Sequence, residues 1–296
     1  MTSLAPAPTS TSASTSNPPQ EKSDPELTAQ IFQRLRPRVY LERFLAQGFR
    51  PDGRTLDAWR DVSVHTGSIT TAEGSALVRL GGTTVVVGVK AEIAPPELDA
   101  PDAGFLVPNL DLPALCSPRF KPGPPSEEAQ VLSARLNDAL LASAILPLTT
   151  LCIEPGKAAW VLYVDATCIN YDGNAFDAAL LGMVAALRNT RLPQATYNPD
   201  TGRTLCSRKT RTPLQLGARV PAAYSFGIFN STSILADPTA FEEPLLDATL
   251  TITLDAPSGA LLGTAQLGLA LPDDTLARCV ALAQRRHAEV RAVYLG

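Results

Sequence analysis

The stretch from residue 160 to residue 187, WVLYVDATCINYDGNAFDAALLGMVAAL, predicts a buried strand that leads through a turn into a buried helix. Residues 160–164 are apolar on both faces, which is typical of a central strand covered on both sides. After the turn Tyr171-Asp172-Gly173, Asn174 is the expected N-cap and Asp177 the third helical residue. Helical spacing of apolar side chains predicts a buried core face: Phe176, Leu180, Met183, Val184 and Leu187.

Upstream of this stretch, the pattern predicts helices and then strands. Residues 27–47 favour one or two short helices broken by Pro37, and strands are expected at 61–66, 75–80 and 83–91. The proline-rich segment 94–125 is expected to be mostly loop. Ser126 is a candidate helix cap, followed by Glu127 and Glu128 in the first turn.

Downstream, the order of strands and a helix is repeated. A basic loop at 199–213 precedes strands at 222–229 and 233–237. Residues 249–254 alternate strictly between threonine and an apolar residue, and they are expected to form a hairpin with 259–266. The last helix starts near Pro272 and carries His287 on its apolar stripe, which favours a hydrogen-bonded core or interface histidine over a ligand or base.

These elements predict an α+β chain with two similar strand-rich halves and packed helices. The halves lie at about 40–190 and 213–296 within a domain spanning 25–296. Residues 1–24 are rich in Ser, Thr and Pro and are expected to be a disordered tail, either a spacer or a docking or phosphorylated arm.

Composition narrows the possible functions. Charged residues make up 18% of the 296 residues and the net charge is −4, so nucleic acid can be held only by a local basic patch. Five widely spaced cysteines and two histidines do not form a disulfide framework or a metal-binding pattern. With no secretory leader and no apolar stretch long enough to span a membrane, the sequence predicts a soluble intracellular protein without a metal or cofactor.

Nine short motifs, in order along residues 40–296, resemble the RNase PH-like family and, within it, the non-catalytic branch that forms the ring of the RNA exosome. They are RPDGR (50–54), TGS (66–68), AEGSA (72–76), GVKAE (88–92), DAPD (99–102), VPNLDL (107–112), PGPP (122–125), NYDGN (170–174) and ADPT (236–239). The resemblance implies the RNase PH-like fold, of the ribosomal protein S5 domain 2-like type.

Phosphorolytic members of that family are expected to hold phosphate with an arginine at a helix N-terminus. The matching position here is Phe176, and the next residue is Asp177, whose charge would repel phosphate. Two catalytic aspartates six residues apart are also expected. They match Glu243, which keeps a carboxylate, and Thr249, which lacks the acid. Glu243 alone is expected to be solvated or salt-bridged. The resemblance therefore implies a protein without catalytic residues.

Two basic clusters are candidate RNA-binding sites, because they can neutralise phosphates without reading bases. The alternatives are a solvated loop or a patch that faces an acidic partner. The six candidate residues are Arg119, Lys121, Arg203, Arg208, Lys209 and Arg211.

The resemblance implies a structural subunit that supports 3′-to-5′ RNA processing and degradation, including rRNA processing. Its expected partners are other RNase PH-like subunits, paired as heterodimers in a six-subunit ring, with S1/KH-type cap subunits, a processive nuclease and RNA in the channel. The expected locations are the nucleus, including the nucleolus, and the cytoplasm. The alternative is an active phosphorolytic 3′-to-5′ exoribonuclease.

Overall fold

The computed structural model describes residues 25–295, and the predicted tail at 1–24 lies outside them. The chain divides into a short N-terminal unit that ends at Tyr40 and a large unit that starts at Leu41. Helix α1 spans Pro25–Leu35 and helix α2 spans Pro37–Leu45. The expected break at Pro37 is confirmed, since proline fits the first turn of a helix but not its interior.

The first sheet of the large unit has six strands. They are β1 (Val62–Thr66), β2 (Gly74–Leu80), β3 (Thr83–Ala94), β4 (Phe105–Asp111), β5 (Cys152–Glu154) and β6 (Ala158–Asn170). The order is β1-β2-β3-β6-β4, with β5 also paired to β6, and only β4 runs parallel to its neighbour. The predicted strands at 61–66, 75–80, 83–91 and 160–164 are confirmed.

Residues 94–125 are mostly loop, as expected, but they also contain strand β4. Its sequence FLVPNLD contains Pro108, which argues against a central strand. β4 lies at the end of the sheet order, however, and an edge strand has one unpaired side where a missing N–H is tolerated.

Two helices accompany the first sheet, one between β4 and β5 in sequence and one after β6. Helix α3 (Glu127–Ser143) begins at the expected cap, where Ser126 Oγ accepts a hydrogen bond from the Ala129 N–H at 3.2 Å. Helix α4 (Ala175–Asn189) is buried on every face from Ala175 to Leu187, because it lies between β2 and β3 on one side and the second sheet on the other. The predicted apolar face, including Phe176, is therefore confirmed.

The second sheet consists of β9 (Pro221–Phe229), β10 (Ser233–Ala236), β11 (Ala248–Asp255) and β12 (Leu261–Gly268), in the order β10-β9-β11-β12. The predicted hairpin between β11 and β12 is confirmed. Helix α5 (Asp273–Leu295) packs on β9 and β11. Its His287 is buried, accepts from the Tyr224 hydroxyl at Nδ1 (2.9 Å) and donates from Nε2 to the Ala256 carbonyl (3.1 Å), so it is a satisfied core histidine.

A two-stranded sheet replaces the expected basic loop at 199–213. It is a hairpin of β7 (Arg191–Asn198) and β8 (Arg203–Pro213), with a register shift opposite Pro193 and Ala195. The loop expectation was wrong because it weighed the basic charge and not the β-branched threonines of β8, which favour a strand.

No helix in the part of the chain that the structure describes combines the length and apolar character needed to cross a lipid bilayer.

Candidate functional site

A cavity of about 370 Å³ lies at the N-terminal end of α4, between α3 and the second sheet. It brings together the three positions singled out in the sequence, Phe176, Glu243 and Thr249, and places Arg119 beside them. The remaining walls come from α3, from the turn before α4 and from β9, β11 and β12. They include Glu127, Glu128, Val131, Leu132, Arg135, Tyr171, Asn174, Ser225, Thr251 and Leu267.

A close backbone approach positions one side of this cavity. Gly173, in the turn between β6 and α4, has φ +80°, and a Cβ there would lie 2.5–2.7 Å from backbone atoms of Pro238, Thr239 and Ala240. Only glycine fits such a contact without moving the chain. The turn that starts α4 is thereby pressed against the segment that leads from β10 to Glu243.

Two buried arginines hold that segment. Arg60 donates from Nε and a terminal nitrogen to the two carboxylate oxygens of Asp237, each at 2.7 Å. Arg50 donates to Glu242 Oε1 at 2.8 Å and to the carbonyls of Ala236 and Asp237. The motifs RPDGR and ADPT, far apart in sequence, are thus two sides of one internal clamp on the segment that precedes Glu243.

Asp237 is ionised in this clamp. Burial alone would raise its pKa, but the hydrogen bonds and charge of Arg60 outweigh burial and hold the pKa below its usual value. The Asn174 amide adds another donor to the same carboxylate at 2.8 Å.

Phe176, at the position of the expected phosphate-binding arginine, belongs to the buried core and also lines the cavity. The guanidinium of Arg135 lies 4.5 Å from the centre of its ring and donates to Thr251 Oγ1 at 2.8 Å. A positive charge therefore lies near the phosphate position, but it comes from α3 and is engaged by a ring and a hydroxyl.

Asp177 points into the protein. Its carboxylate accepts from the Ser225 N–H at 2.8 Å, the Ser225 hydroxyl at 2.7 Å and the Asn174 amide at 2.8 Å. Burial raises its pKa to about 6 in spite of these donors. Asn174 occupies the expected cap position, but its φ is +53° and its side chain does not cap the helix. It bridges Asp177 and Asp237 instead, which corrects its predicted role.

Glu243 begins a short 3-10 turn, Glu243–Leu245. Its carboxylate accepts from the Tyr171 hydroxyl at 2.5 Å and from the Asn174 N–H at 2.8 Å. Burial raises its pKa, although these bonds oppose the shift. Arg119 forms a longer ion pair with Glu243 at 3.9 Å, so the expected salt bridge is present, but the two neutral donors lie closer.

Thr249 lies on β11, half-buried, and lines the cavity together with Thr251, two residues further on. The threonine face of β11 therefore turns toward the cavity, with a hydroxyl where the family's second aspartate is expected. Among residues 25–295, no group of three or more His, Cys, Asp or Glu side chains is arranged to hold a metal ion.

The structure separates the two candidate RNA-binding clusters. Arg119 is half-exposed at the cavity, where it pairs with Glu128 at 2.7 Å, and Lys121 is exposed nearby in sequence. The second cluster lies on the hairpin, which leaves from the C-terminal end of α4, and that helix of 15 residues is about 22 Å long. Arg203, Lys209 and Arg211 are exposed there, and the side chain of Arg208 lies outside the described part.

Sequence reasoning missed Arg135, Tyr171, Ser225 and Glu128 as cavity residues. Arg135 carried one local signal, because it is the only basic residue in the α3 sequence EEAQVLSARLNDALLAS and it stands beside the apolar stripe. The sequence around Ser225 gave no such local signal, because its partner Asp177 is 48 residues away in the chain.

The buried charge of Asp177 predicts a measurable pH effect. A carboxyl whose folded pKa is raised stabilises the fold most below its unfolded pKa and loses that contribution as pH rises through the folded value. We expect the free energy of unfolding of the native protein, relative to Asp177→Asn, to fall by on the order of 2–3 kcal/mol between pH 4 and pH 6. Urea titrations of both proteins at each pH test this. A pH-independent difference would contradict it.

Comparisons with known proteins agree with the family resemblance of the sequence motifs. Two models of the 3′ exoribonuclease family RNase PH match the chain, domain 1 over residues 58–193 and domain 2 over residues 219–286. The chain is 44% identical over 229 residues to the exosome complex component rrp43 of Schizosaccharomyces pombe, a match that covers 77% of this chain and 84% of that protein. It is 40% identical over 233 residues to the exosome complex component Rrp42 of Thermococcus gammatolerans, covering 79% and 82%.

Solved structures of exosome chains are also similar to this chain. The chain superposes on a chain of the Archaeoglobus fulgidus exosome with RNA bound to the active site, with a TM-score of 0.77 and 31% identity. That match covers 90% of this chain and 98% of the other. A chain of an archaeal exosome core gives a TM-score of 0.73 and 28% identity, covering 92% and 100%.

Proposed function

The chain belongs to the RNase PH family of 3′ exoribonucleases, and from this premise we propose that it is a non-catalytic subunit of the core ring of an RNA exosome. The α+β RNase PH-like fold expected from the motifs is confirmed by the family models and the superposed structures. Relatives named as exosome components, matched along most of their length, support the ring role.

One observation supports the loss of catalysis most directly. A cavity lies where the motifs place the family's site, with Phe176 at the position expected for the phosphate-binding arginine and Thr249 at the position expected for an aspartate. Phosphate would meet the Phe176 ring and the carboxylate of Glu243, which both line the cavity. A threonine hydroxyl cannot supply the acid for departure of the terminal nucleotide.

In this proposal, the subunit shapes the RNA channel and holds its neighbours. Its partners are RNase PH-like subunits that pair with it, S1/KH-type cap subunits, and a processive nuclease that supplies the chemistry. It would act in the nucleus, including the nucleolus, and in the cytoplasm. RNA contact would come from the six basic residues already named, and the two clusters at opposite ends of α4 would make independent contacts.

The position of Arg135 favours the alternative function, an active phosphorolytic enzyme. Its guanidinium lies beside Phe176 and could in principle replace the missing arginine. Two features argue against this replacement. Arg135 already donates to Thr251, and the negative charge of buried Asp177 offsets the positive charge of Arg135 that an anion would need. The alternative also needs a substitute for the acid missing at Thr249.

We expect the purified protein to release no nucleoside diphosphate from single-stranded RNA in the presence of phosphate and magnesium. Thr249→Asp should remain inactive, because an acid without a phosphate cradle cannot start phosphorolysis. Chromatographic detection of nucleoside diphosphates measures both. Release that disappears in Glu243→Gln would overturn the proposal and favour the enzyme.

A further inference from the structure

The β7–β8 hairpin concentrates positive charge in an otherwise acidic chain. Residues 191–213 contain five basic residues and one acid, a net charge of +4, whereas the whole chain carries −4 and the rest of it therefore −8. Arg203, Lys209 and Arg211 are exposed on β8, so their charge faces solvent. An RNA phosphate is attracted here by a local field that the remainder of the protein opposes.

A bulge interrupts β8 in the middle of this basic segment. The paired register with β7 stops after Cys206 and resumes at Arg211. Residues 207–210 therefore lie outside the ladder, as the extra residues of a bulge do, and within them the Thr210 N–H donates to Ser207 Oγ at 3.1 Å. Another protein can bind this segment in an extended conformation without breaking the pairing of β7 with β8.

Thr210 is the hydroxyl of this segment that suits phosphorylation. It is exposed, and two basic residues, Arg208 and Lys209, directly precede it. Protein kinases discriminate between substrates by charge patterns of this kind. Ser207, in the same bulge, is only partly exposed, and its oxygen already accepts from a backbone N–H. Thr212 is exposed but lies within the ladder, and its hydroxyl donates to a β7 carbonyl at 3.5 Å.

A phosphate on Thr210 would lie among the cations that the RNA contact requires. It carries a charge of about −1.5 to −2 at neutral pH, so the net charge of the hairpin would fall from +4 to about +2. Its oxygens would accept from Lys209 and Arg211, the exposed neighbours on either side. Those side chains would then be lost to RNA phosphates, which the new charge would also repel.

We propose that Thr210 is the target of a protein kinase that selects basic substrates, and that its phosphate releases RNA from the hairpin. In the transfer, the Thr210 hydroxyl oxygen forms a bond with the γ-phosphorus of a nucleoside triphosphate, the bond from that phosphorus to the β-phosphate oxygen breaks, and the nucleoside diphosphate leaves. The hydroxyl proton passes to a base of the kinase. The site regulates the RNA contact that the proposed function gives to the hairpin, and so the inference rests on that function.

The first measurement locates the phosphate. The co-expressed, purified complex is incubated with ATP and the catalytic subunit of a basophilic protein kinase, and the hairpin peptide is analysed by mass spectrometry. We expect Thr210 to be the main modified residue, while Thr212, exposed but paired in the ladder, is the internal control that stays unmodified. Replacing both Arg208 and Lys209 with glutamine should reduce the modification at least about tenfold.

The second measurement tests the effect on RNA. A photo-crosslinking amino acid at position 205, where Leu205 is 64% exposed on β8, reports RNA at the hairpin within the complex. Phosphorylation should reduce the cross-link to single-stranded RNA at least about tenfold at about 0.15 M salt, because the cations that hold the RNA phosphates become paired. Thr210→Val is the matched control, and its complex should keep the full cross-link after treatment with kinase and ATP.

Modification of Ser207 or Thr212 in place of Thr210, or an unmodified hairpin in the folded complex, would overturn the site. An RNA cross-link that is equally strong with and without the phosphate would overturn its regulatory role. Native mass spectrometry of the same sample separates the two claims. If the ring is intact but position 205 gives no RNA cross-link before kinase treatment, the switch fails while the ring function stands, and if no ring forms, the proposed function itself fails.

Discussion

Replacing Asp237 with alanine is expected to destabilise the large unit by about 3–5 kcal/mol, because it leaves a buried arginine without its counter-charge. The Asp237 carboxylate is fully buried and accepts from Arg60 Nε and a terminal nitrogen at 2.7 Å, from the Arg60 N–H at 3.1 Å and from Asn174 at 2.8 Å. Destabilisation of this size approaches the whole stability of an ordinary domain. Soluble yield and urea unfolding of the co-expressed complex measure it.

The matched control is Asp52→Ala. Asp52 makes an equally short ion pair with Arg54, at 2.6 Å, but its side chain is one-third exposed. Exposed pairs contribute less than about 1 kcal/mol, so this variant should unfold almost as the native protein does. If the two variants lost similar amounts of unfolding free energy, burial would not explain the stabilising effect of the Asp237 clamp.

The clamp also has a definite pH signature. Because the pKa of Asp237 is held below its usual value, its contribution is fully present above the unfolded pKa and is lost as pH falls through the folded value. The stability advantage of the native protein over Asp237→Asn should therefore be constant near neutral pH and shrink below about pH 4. Asp177 has the opposite pH dependence. Because its pKa is raised, its contribution to the free energy of unfolding decreases as pH rises.

Local pattern was sufficient where the spacing of apolar residues within one element marks its core face. The threonine–apolar alternation of β11 predicted the strand, and its threonine face is the one that lines the cavity. The spacing of Phe176 and its apolar neighbours predicted a buried helix face, and the same residue, set against the family motif, indicated a missing phosphate site.

Pattern failed where the decisive partner is distant in the chain. β4 is stabilised by pairing with β6, about 55 residues later, and nothing within FLVPNLD overrides the proline. Asn174 was expected to cap its own helix, but Asp237, 63 residues away, attracts its amide. Arg135 stands over Phe176 only because α3 and α4 pack side by side. Contacts between elements, rather than preferences within them, decide these cases.

The second large effect is expected in the behaviour of the protein expressed without partners, which should be poorly soluble or aggregate. Strand β12 ends the second sheet, and an unpaired sheet edge is a template for association. Leu261, Leu267 and Leu269 are 49–59% exposed along and just beyond it. A chain with 45% hydrophobic and 18% charged residues has few charges to oppose this association.

The Leu261→Lys variant should be more soluble alone, and Leu98→Lys should change nothing, because Leu98 is 99% exposed on a loop and belongs to no strand.

Co-expression with an RNase PH-like neighbour should restore solubility and raise the melting temperature. Obligate interfaces often bury more than about 2,000 Å² and resemble a domain core cut in half, so the neighbour would cover the surface that drives aggregation. A partner that binds only the folded state also stabilises it by mass action. Size-exclusion chromatography with light scattering, and native mass spectrometry of the tagged protein from its source cells, measure the assembly. Thermal unfolding with and without the neighbour measures the melting temperature. A stable monomer or homo-hexamer whose melting temperature ignores the neighbour would contradict the ring proposal, because a subunit of a hetero-oligomeric ring must leave apolar surface for its neighbours to bury.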